Sequence, residues 1–235
     1  MVKKKLQRFA DMETFSNVVQ PAFDEVYGKD YPLKGNWNRL FFKNNNPIVL
    51  ELGCGKGEYT TGLARRFQKK NFIGIDIKGS RMWKGARMAL AEHLDNVAFL
   101  RTHIEMIHSF FGEDEIEEIW ITFPDPQLKK KRKRLTSSRF LNTYGGFLKK
   151  GGLVHLKTDS TVLYQYTIDL AKLNQLPVKI NTRDLYHSGI DIDILGIQTF
   201  YERQFLDQGM KITYLCFELL NGKKIEELAE EESAG

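Results

Sequence analysis

The feature that most limits what this chain can fold into is a short apolar run, Ile48-Val-Leu-Glu-Leu52, that breaks into glycines at alternate positions, Gly53, Gly55 and Gly57. A segment with helical spacing, Tyr59 to Phe67, follows. Strand, glycine turn and helix in that order open a doubly wound α/β sheet and present a ligand at the carboxyl end of the strand. Glycine reaches positive φ without strain and has no Cβ to obstruct a ligand close to the backbone. The alternation continues, with strands expected near 47–52, 71–76, 97–101, 117–123 and 152–158 and helices near 58–68, 80–93, 104–111, 136–149 and 160–174. It predicts a mostly parallel sheet with helices on both faces. After Leu176 the pattern changes: a strand over Val178 to Thr182, an irregular stretch from Leu185 to Gly196, a helix over Thr199 to Gln208, and a strand over Lys211 to Leu220.

Ahead of this core, Phe9, Met12, Phe15 and Val19 recur at helix-like intervals, which predicts a short helix ending before Pro21. Tyr31 to Asn46 reads as a loop. The expected organisation is an N-terminal extension and loop over 1–46, one domain over 47–222, and an acidic tail over 223–235, expected to fray.

The ligand is narrowed by charge. A dinucleotide fingerprint would put its third glycine at position 58, which is Glu58. Glu51, at the strand end, would repel a pyrophosphate and welcome a cation. S-adenosyl-L-methionine (SAM) carries a sulfonium and an ammonium and no phosphate. Asp76 closes the next apolar run, Asn71-Phe-Ile-Gly-Ile-Asp76, where an acid accepts hydrogen bonds from ribose hydroxyls. The alternative is that both acids are solvated strand ends.

With 42% apolar and 28% charged residues among 235, the chain reads as a globular protein with a core that needs no staples. Its two cysteines, Cys54 and Cys216, form neither a disulfide framework nor a metal-ligand cluster, so no metal is expected. No apolar run reaches membrane-spanning length, and Lys3-Lys4-Lys5 is not followed by the apolar core of a leader. A cytoplasmic setting and no membrane partner are the expectation.

The candidate chemistry gathers at strand ends. Ile119-Trp-Ile-Thr-Phe123 runs into Pro124-Asp125-Pro126, which holds Asp125 on a stiffened turn; the alternative is that its carboxylate only satisfies turn amides. Six consecutive cations follow, Lys129 to Arg134, a stretch suited to a polyanion. Arg65, Arg66, Lys69 and Lys70 form a second cluster, read as complementing a helix dipole. Asp159, after Lys157-Thr158, is either a helix N-cap or a ligand group. Thr199-Phe200-Tyr201-Glu202 matches a capping box, which accounts for it structurally.

Together these residues resemble the bacterial tRNA (guanine-N7-)-methyltransferase family, from about Ile48 to the final strand. The glycine loop is common to many methyltransferases. Phe-Pro-Asp125-Pro followed by lysines, then Lys157-Thr-Asp159 and Thr199-Phe-Tyr-Glu202 in that order, is far more specific. The resemblance implies a Rossmann-like SAM-dependent methyltransferase sheet with an antiparallel final strand. It implies a monomeric or homodimeric enzyme that methylates N7 of a guanine in the variable loop of tRNA. Glu51, Gly53, Gly55, Asp76 and Asp125 would bind the cofactor, with His103 standing where the family usually has an acid and Glu105 two residues on. Asp125 would be the central catalytic acid. Lys129, Asp159 and the segment Thr199, Phe200, Tyr201 and Glu202 would bind the substrate. Rival readings are a methyltransferase for another RNA, a protein or a small molecule, and a non-catalytic RNA-binding module on this fold; a nicotinamide-linked dehydrogenase is disfavoured by Glu51 and Glu58.

Overall fold

The computed structural model describes residues 2–190, 196–220 and 222–229. The acids Glu230 to Glu232 of the expected tail, and part of the irregular stretch before Gly196, lie outside the described residues; the start of that tail, expected to fray, is instead packed on the domain, with Ile225 buried and Glu227 accepting the Tyr166 hydroxyl at 2.7 Å. Eight strands form one sheet: β1 (Val18–Val19), β2 (Ile48–Leu52), β3 (Asn71–Asp76), β4 (Val97–Arg101), β5 (Ile116–Thr122), β6 (Leu148–Thr158), β7 (Val178–Thr182) and β8 (Thr213–Glu218). Their spatial order is β1-β4-β3-β2-β5-β6-β8-β7. All pairs from β1 to β6 are parallel, and β8 runs antiparallel to both β6 and β7. The central strands read as unbroken apolar runs because both of their faces are covered.

The helices are α1 (Val2–Thr14), α2 (Phe23–Val26), α3 (Glu58–Arg66), α4 (Gly79–Ala91), α5 (Ser138–Tyr144), α6 (Thr161–Leu173) and α7 (Phe200–Asp207). They divide between two cores. On one face Tyr59 and Leu63 of α3 and Met82 and Ala86 of α4 pack with Phe72, Phe99 and Trp120. On the other, Phe140 of α5 and Leu163 and Ile168 of α6 pack with Leu50, Ile73 and Ile121.

Three local expectations need correction. The N-terminal helix stops at Thr14 rather than running through Val19, because Val18 and Val19 pair with Phe99 and Leu100 as an edge strand. Two β-branched residues gain more from a sheet edge than from another helical turn. The helix expected over 136–149 is confined to Ser138–Tyr144. Gly145 and Gly146 end it, and the Phe147 carbonyl then accepts the Ile116 N–H at 3.0 Å, so pairing with β5 begins early. The expected loop from Tyr31 to Asn46 contains a wide helical turn, Trp37–Phe42. Its anchor is Trp37, fully buried, whose indole N–H donates to the Phe110 carbonyl at 2.9 Å.

The glycine turn is seated by a second close contact. Gly53, Gly55 and Gly57 all have positive φ. Under the turn, Gly85 of α4 approaches so closely that a Cβ there would lie 2.7 Å from the Lys56 carbonyl oxygen and 2.9 Å from the Gly57 Cα. Gly85→Ala therefore sets two effects against each other: helix propensity favours alanine by about 1 kcal/mol, while overpacking against backbone costs about 1–3 kcal/mol. Urea unfolding should show a net loss of up to about 2 kcal/mol; a gain in stability would mean that the loop does not rest on α4.

Candidate active site

The carboxyl ends of β2, β3 and β5 meet where the sheet order reverses, and Glu51, Asp76 and Thr122 converge there. This crevice is the usual ligand position in open α/β sheets. Glu51 is only 3% exposed. Its carboxylate accepts the Thr60 N–H at 2.8 Å and the Thr60 hydroxyl, both from α3, and the Thr122 hydroxyl at 2.7 Å from β5. Burial pushes its carboxyl up to about 7; the Thr60 and Thr122 donors oppose that shift, and nearby Asp76 adds to it. Among the described residues no cation lies within 4.0 Å of this buried acid.

Asp76 fixes the glycine turn from the neighbouring strand. Its Oδ2 accepts the Gly55 N–H at 2.9 Å and its Oδ1 the Lys78 N–H at 2.7 Å. Gly53 lines the space on both sides of the turn, and a Cβ on it would meet no atom within 4 Å. That is a cradle a side chain would fill. On the α3–α4 side lies a cleft of about 520 Å³, bordered by Glu51, Lys56, Arg81, Thr199 and Tyr201. On the other side lies a hollow of about 680 Å³, which both His103 and Glu105 line, with Gln127 and Lys133. The acid floor and the glycine cradle fit SAM, and Glu51 and Asp76 are the residues that would hold its charged and ribose portions.

Asp125 stands exposed on the rim rather than in the lining of either cavity. Its Oδ1 accepts the Gln127 N–H at 2.9 Å, so the turn-amide role is realised. The turn itself is strained: Phe123 and Gln127, on either side of Pro124-Asp125-Pro126, take φ of 48° and 47°. Such backbone persists only where surroundings hold it, and it concentrates at functional sites. Together with the Phe123 N–H, which donates to the Lys157 carbonyl at 2.8 Å, Arg134 helps to hold it. This last cation of the basic run is 3% exposed, donates to the Pro126 carbonyl at 3.0 Å and lies over the Tyr166 ring at 4.3 Å. Lys129 to Lys133 are exposed, so five of the run's cations face solvent and one is internal.

Asp159 is not a helix cap, because Ser160 caps α6 by accepting the Leu163 N–H at 3.2 Å. The Thr199–Glu202 motif is built as a reciprocal capping box. Thr199 and Tyr201 also line the cleft, while the Phe200 ring lies 3.8 Å from the Lys56 ammonium and the Phe200 N–H donates to Glu58 at 2.8 Å. Glu202 points inward. Its carboxylate, 0% exposed, meets the Lys157 ammonium at 2.6 Å and accepts the Tyr186 hydroxyl at 2.5 Å. Burial lowers the Lys157 pKa and Glu202 opposes the shift. Sequence reasoning missed Thr60, Thr122 and this use of Lys157. The threonines gave no charge signal, and Lys157 carried only its adjacency to Asp159.

Two outcomes follow. Because Glu51 binds its proton more tightly folded than unfolded, its contribution to cofactor-free stability is present below about pH 4.5 and lost as pH rises through about 7. Glu51→Gln should remove that decline, by up to about 3 kcal/mol; an unchanged pH profile of melting would show that the carboxyl titrates normally. Lys157→Met should destabilise by about 3–5 kcal/mol by stranding a buried carboxylate, and adding Glu202→Gln should recover much of the loss. Failure of the second substitution to rescue would mean that the lysine acts by packing.

Known proteins were compared with this chain. Residues 45–215 match the model of a methyltransferase family described as "Putative methyltransferase". The tRNA (guanine-N(7)-)-methyltransferase of Bacteroides fragilis is 54% identical over 92% of this chain and 86% of its own length. That of Christiangramia forsetii is 52% identical over 92% of this chain and 98% of its own. Among solved structures, the 16S rRNA methyltransferase KamB superposes with a TM-score of 0.60 over 77% of this chain and 91% of its own, at 14% identity. A 16S rRNA (adenine(1408)-N(1))-methyltransferase from Catenulisporales acidiphilia gives 0.58 over 83% and 97%, also at 14%. Those two likenesses establish the fold; the sequence matches establish that this chain belongs to the bacterial tRNA (guanine-N7-)-methyltransferase family.

Proposed function

We propose that this protein transfers a methyl group from SAM to N7 of a guanine in tRNA. The observation that carries the reading is the pairing of an acidic, glycine-cradled floor at Glu51 and Asp76 with an exposed basic rim at Lys129 to Lys133. Such a site attracts a cationic cofactor below and a polyanionic substrate above. The family relatives support guanine N7 as the acceptor. The motif resemblance supports a variable-loop guanine as the target.

When bound, SAM supplies a methyl group activated by a sulfonium. Guanine N7 carries an in-plane lone pair, so no residue has to remove a proton before attack. The protein's work is then alignment and electrostatic stabilisation as positive charge passes to the purine. Asp125, on its braced turn, accepts hydrogen bonds from guanine N–H donors and offsets that charge. Lys129 holds the RNA backbone beside it, and Asp159 contributes a second acceptor from the end of β6. Thr199 and Tyr201 close the opposite wall, while Phe200 seats Lys56 and Glu202 holds the wall from behind. His103 and Glu105 stand on the side expected to take the adenine. Among the described residues no helix is long and apolar enough to cross a membrane.

Label transfer from SAM to unmodified tRNA, mapped by N7-specific strand cleavage, tests the function; cleavage at one guanine is expected, and label without such cleavage would overturn the N7 chemistry. Asp125→Asn keeps the turn and removes the charge. It should lower kcat about a hundredfold, and a rate near that of the unchanged protein would remove the electrostatic role.

A further inference from the structure

The helix α4 presents Arg81, Lys84 and Arg87 and contains no carboxylate. Helix α1 packs along it and adds Lys5 and Arg8, and all five side chains are exposed. Arg8 and Arg87 both lie against one ring, with their guanidinium carbons 4.9 and 5.2 Å from the Trp83 ring centroid. The indole is fixed in turn, its N–H donating to Asp11 at 2.8 Å. Lys84 is answered by Glu58 at 3.0 Å. Among the described residues no carboxylate lies within 4.0 Å of Lys5, Arg8, Arg81 or Arg87. The cluster at the end of α3 behaves differently. Arg65 is held by Glu92 at 2.6 Å, and Lys70 by Glu117 and Glu118 at 3.1 and 2.6 Å. Arg65 and Lys70 are thus neutralised from within; on the α1–α4 face only Lys84 of the five cations has such a partner among the described residues, and that face is left positive.

Two guanidiniums held against one indole repel each other; inside the protein, cation–π attraction, the Ser80 carbonyl that accepts from Arg8 at 3.3 Å and the Asp11 carboxylate on the same indole offset this in part. An external anion would offset it further. The location says which kind. Arg81 borders the cofactor cleft, so the patch begins at the active-site rim and runs along α4 away from it. The exposed Lys129 to Lys133 lie across the cleft, leading into α5 on the other face of the sheet. A substrate reaching the cleft therefore passes between two basic walls.

We propose that the α1–α4 face, centred on Lys5, Arg8 and Arg87, is a second contact surface for the tRNA backbone, separate from the run after Asp125. It rests on tRNA being the substrate. Phosphates of a folded RNA that spans the cleft would seat on the guanidiniums beside Trp83.

The test is the salt dependence of binding to an unmodified tRNA transcript, read by fluorescence anisotropy. Lys5→Gln/Arg8→Gln/Arg87→Gln is compared with Lys149→Gln/Lys150→Gln, which removes charge at the opposite end of β6. SAM titration of each variant checks the fold. The triple variant should bind tRNA at least about tenfold more weakly at low salt and lose about one unit of log–log salt slope per cation, about three in all. The β6 variant should keep the original slope. A triple variant with unchanged affinity and slope overturns the proposal and leaves the function intact. Loss confined to binding of phosphatidylglycerol vesicles also overturns it, assigning the face to a membrane. An unaltered protein that binds tRNA without salt dependence overturns both readings.

Discussion

A carboxylate buried at the end of a parallel strand is the constraint on which the rest of this site depends. Glu51 ties three elements: its own strand β2, helix α3 through Thr60, and strand β5 through Thr122. Taking a carboxylate out of water costs several kcal/mol unless hydrogen bonds or a cation compensate. Three donors compensate in part, and the carboxyl still rests at about 7. The remaining deficit is chemical information, since a cationic cofactor would answer it and a pyrophosphate would worsen it. The topology makes this placement possible, because β3 and β5 flank β2 and open a crevice at their carboxyl ends.

The rim is stiffened by other means. Left-handed backbone at Phe123 and Gln127 sets the aim of the Pro124-Asp125-Pro126 turn, and Arg134 clamps it from behind. A cation used this way is withdrawn from the solvent-facing run and given to preorganising the turn that carries Asp125. On the opposite wall the capping box of α7 does similar work. It fixes Thr199 and Tyr201 at the cleft while Glu202 is neutralised inside by Lys157.

Much of this was legible in the sequence, for identifiable reasons. Strands buried on both faces leave unbroken apolar runs, and acids at their ends stand out against those runs, so β2, β3 and the convergence of Glu51 and Asp76 at one crevice could be read directly. Phe147 and Leu148 continue the helical apolar pattern past Gly145, so the early start of β6 was hidden. Val18 and Val19 form a strand only because Phe99 is beside them, a tertiary fact. Inside the basic run, nothing local distinguishes the buried Arg134 from its exposed neighbours. At Thr199 to Glu202 the structural and site readings coexist: the cap is formed and two of its residues line the cleft.

The most direct test of the account is the number of protons released when SAM binds. Calorimetry at about pH 6 in buffers of different ionisation enthalpy measures it. A carboxyl resting near 7 and driven to its anion by a cationic ligand should release close to one proton per SAM bound, and Glu51→Gln should release almost none. No release from the unaltered protein, or release that persists in Glu51→Gln, would contradict the claim that this buried acid awaits the cofactor's positive charge.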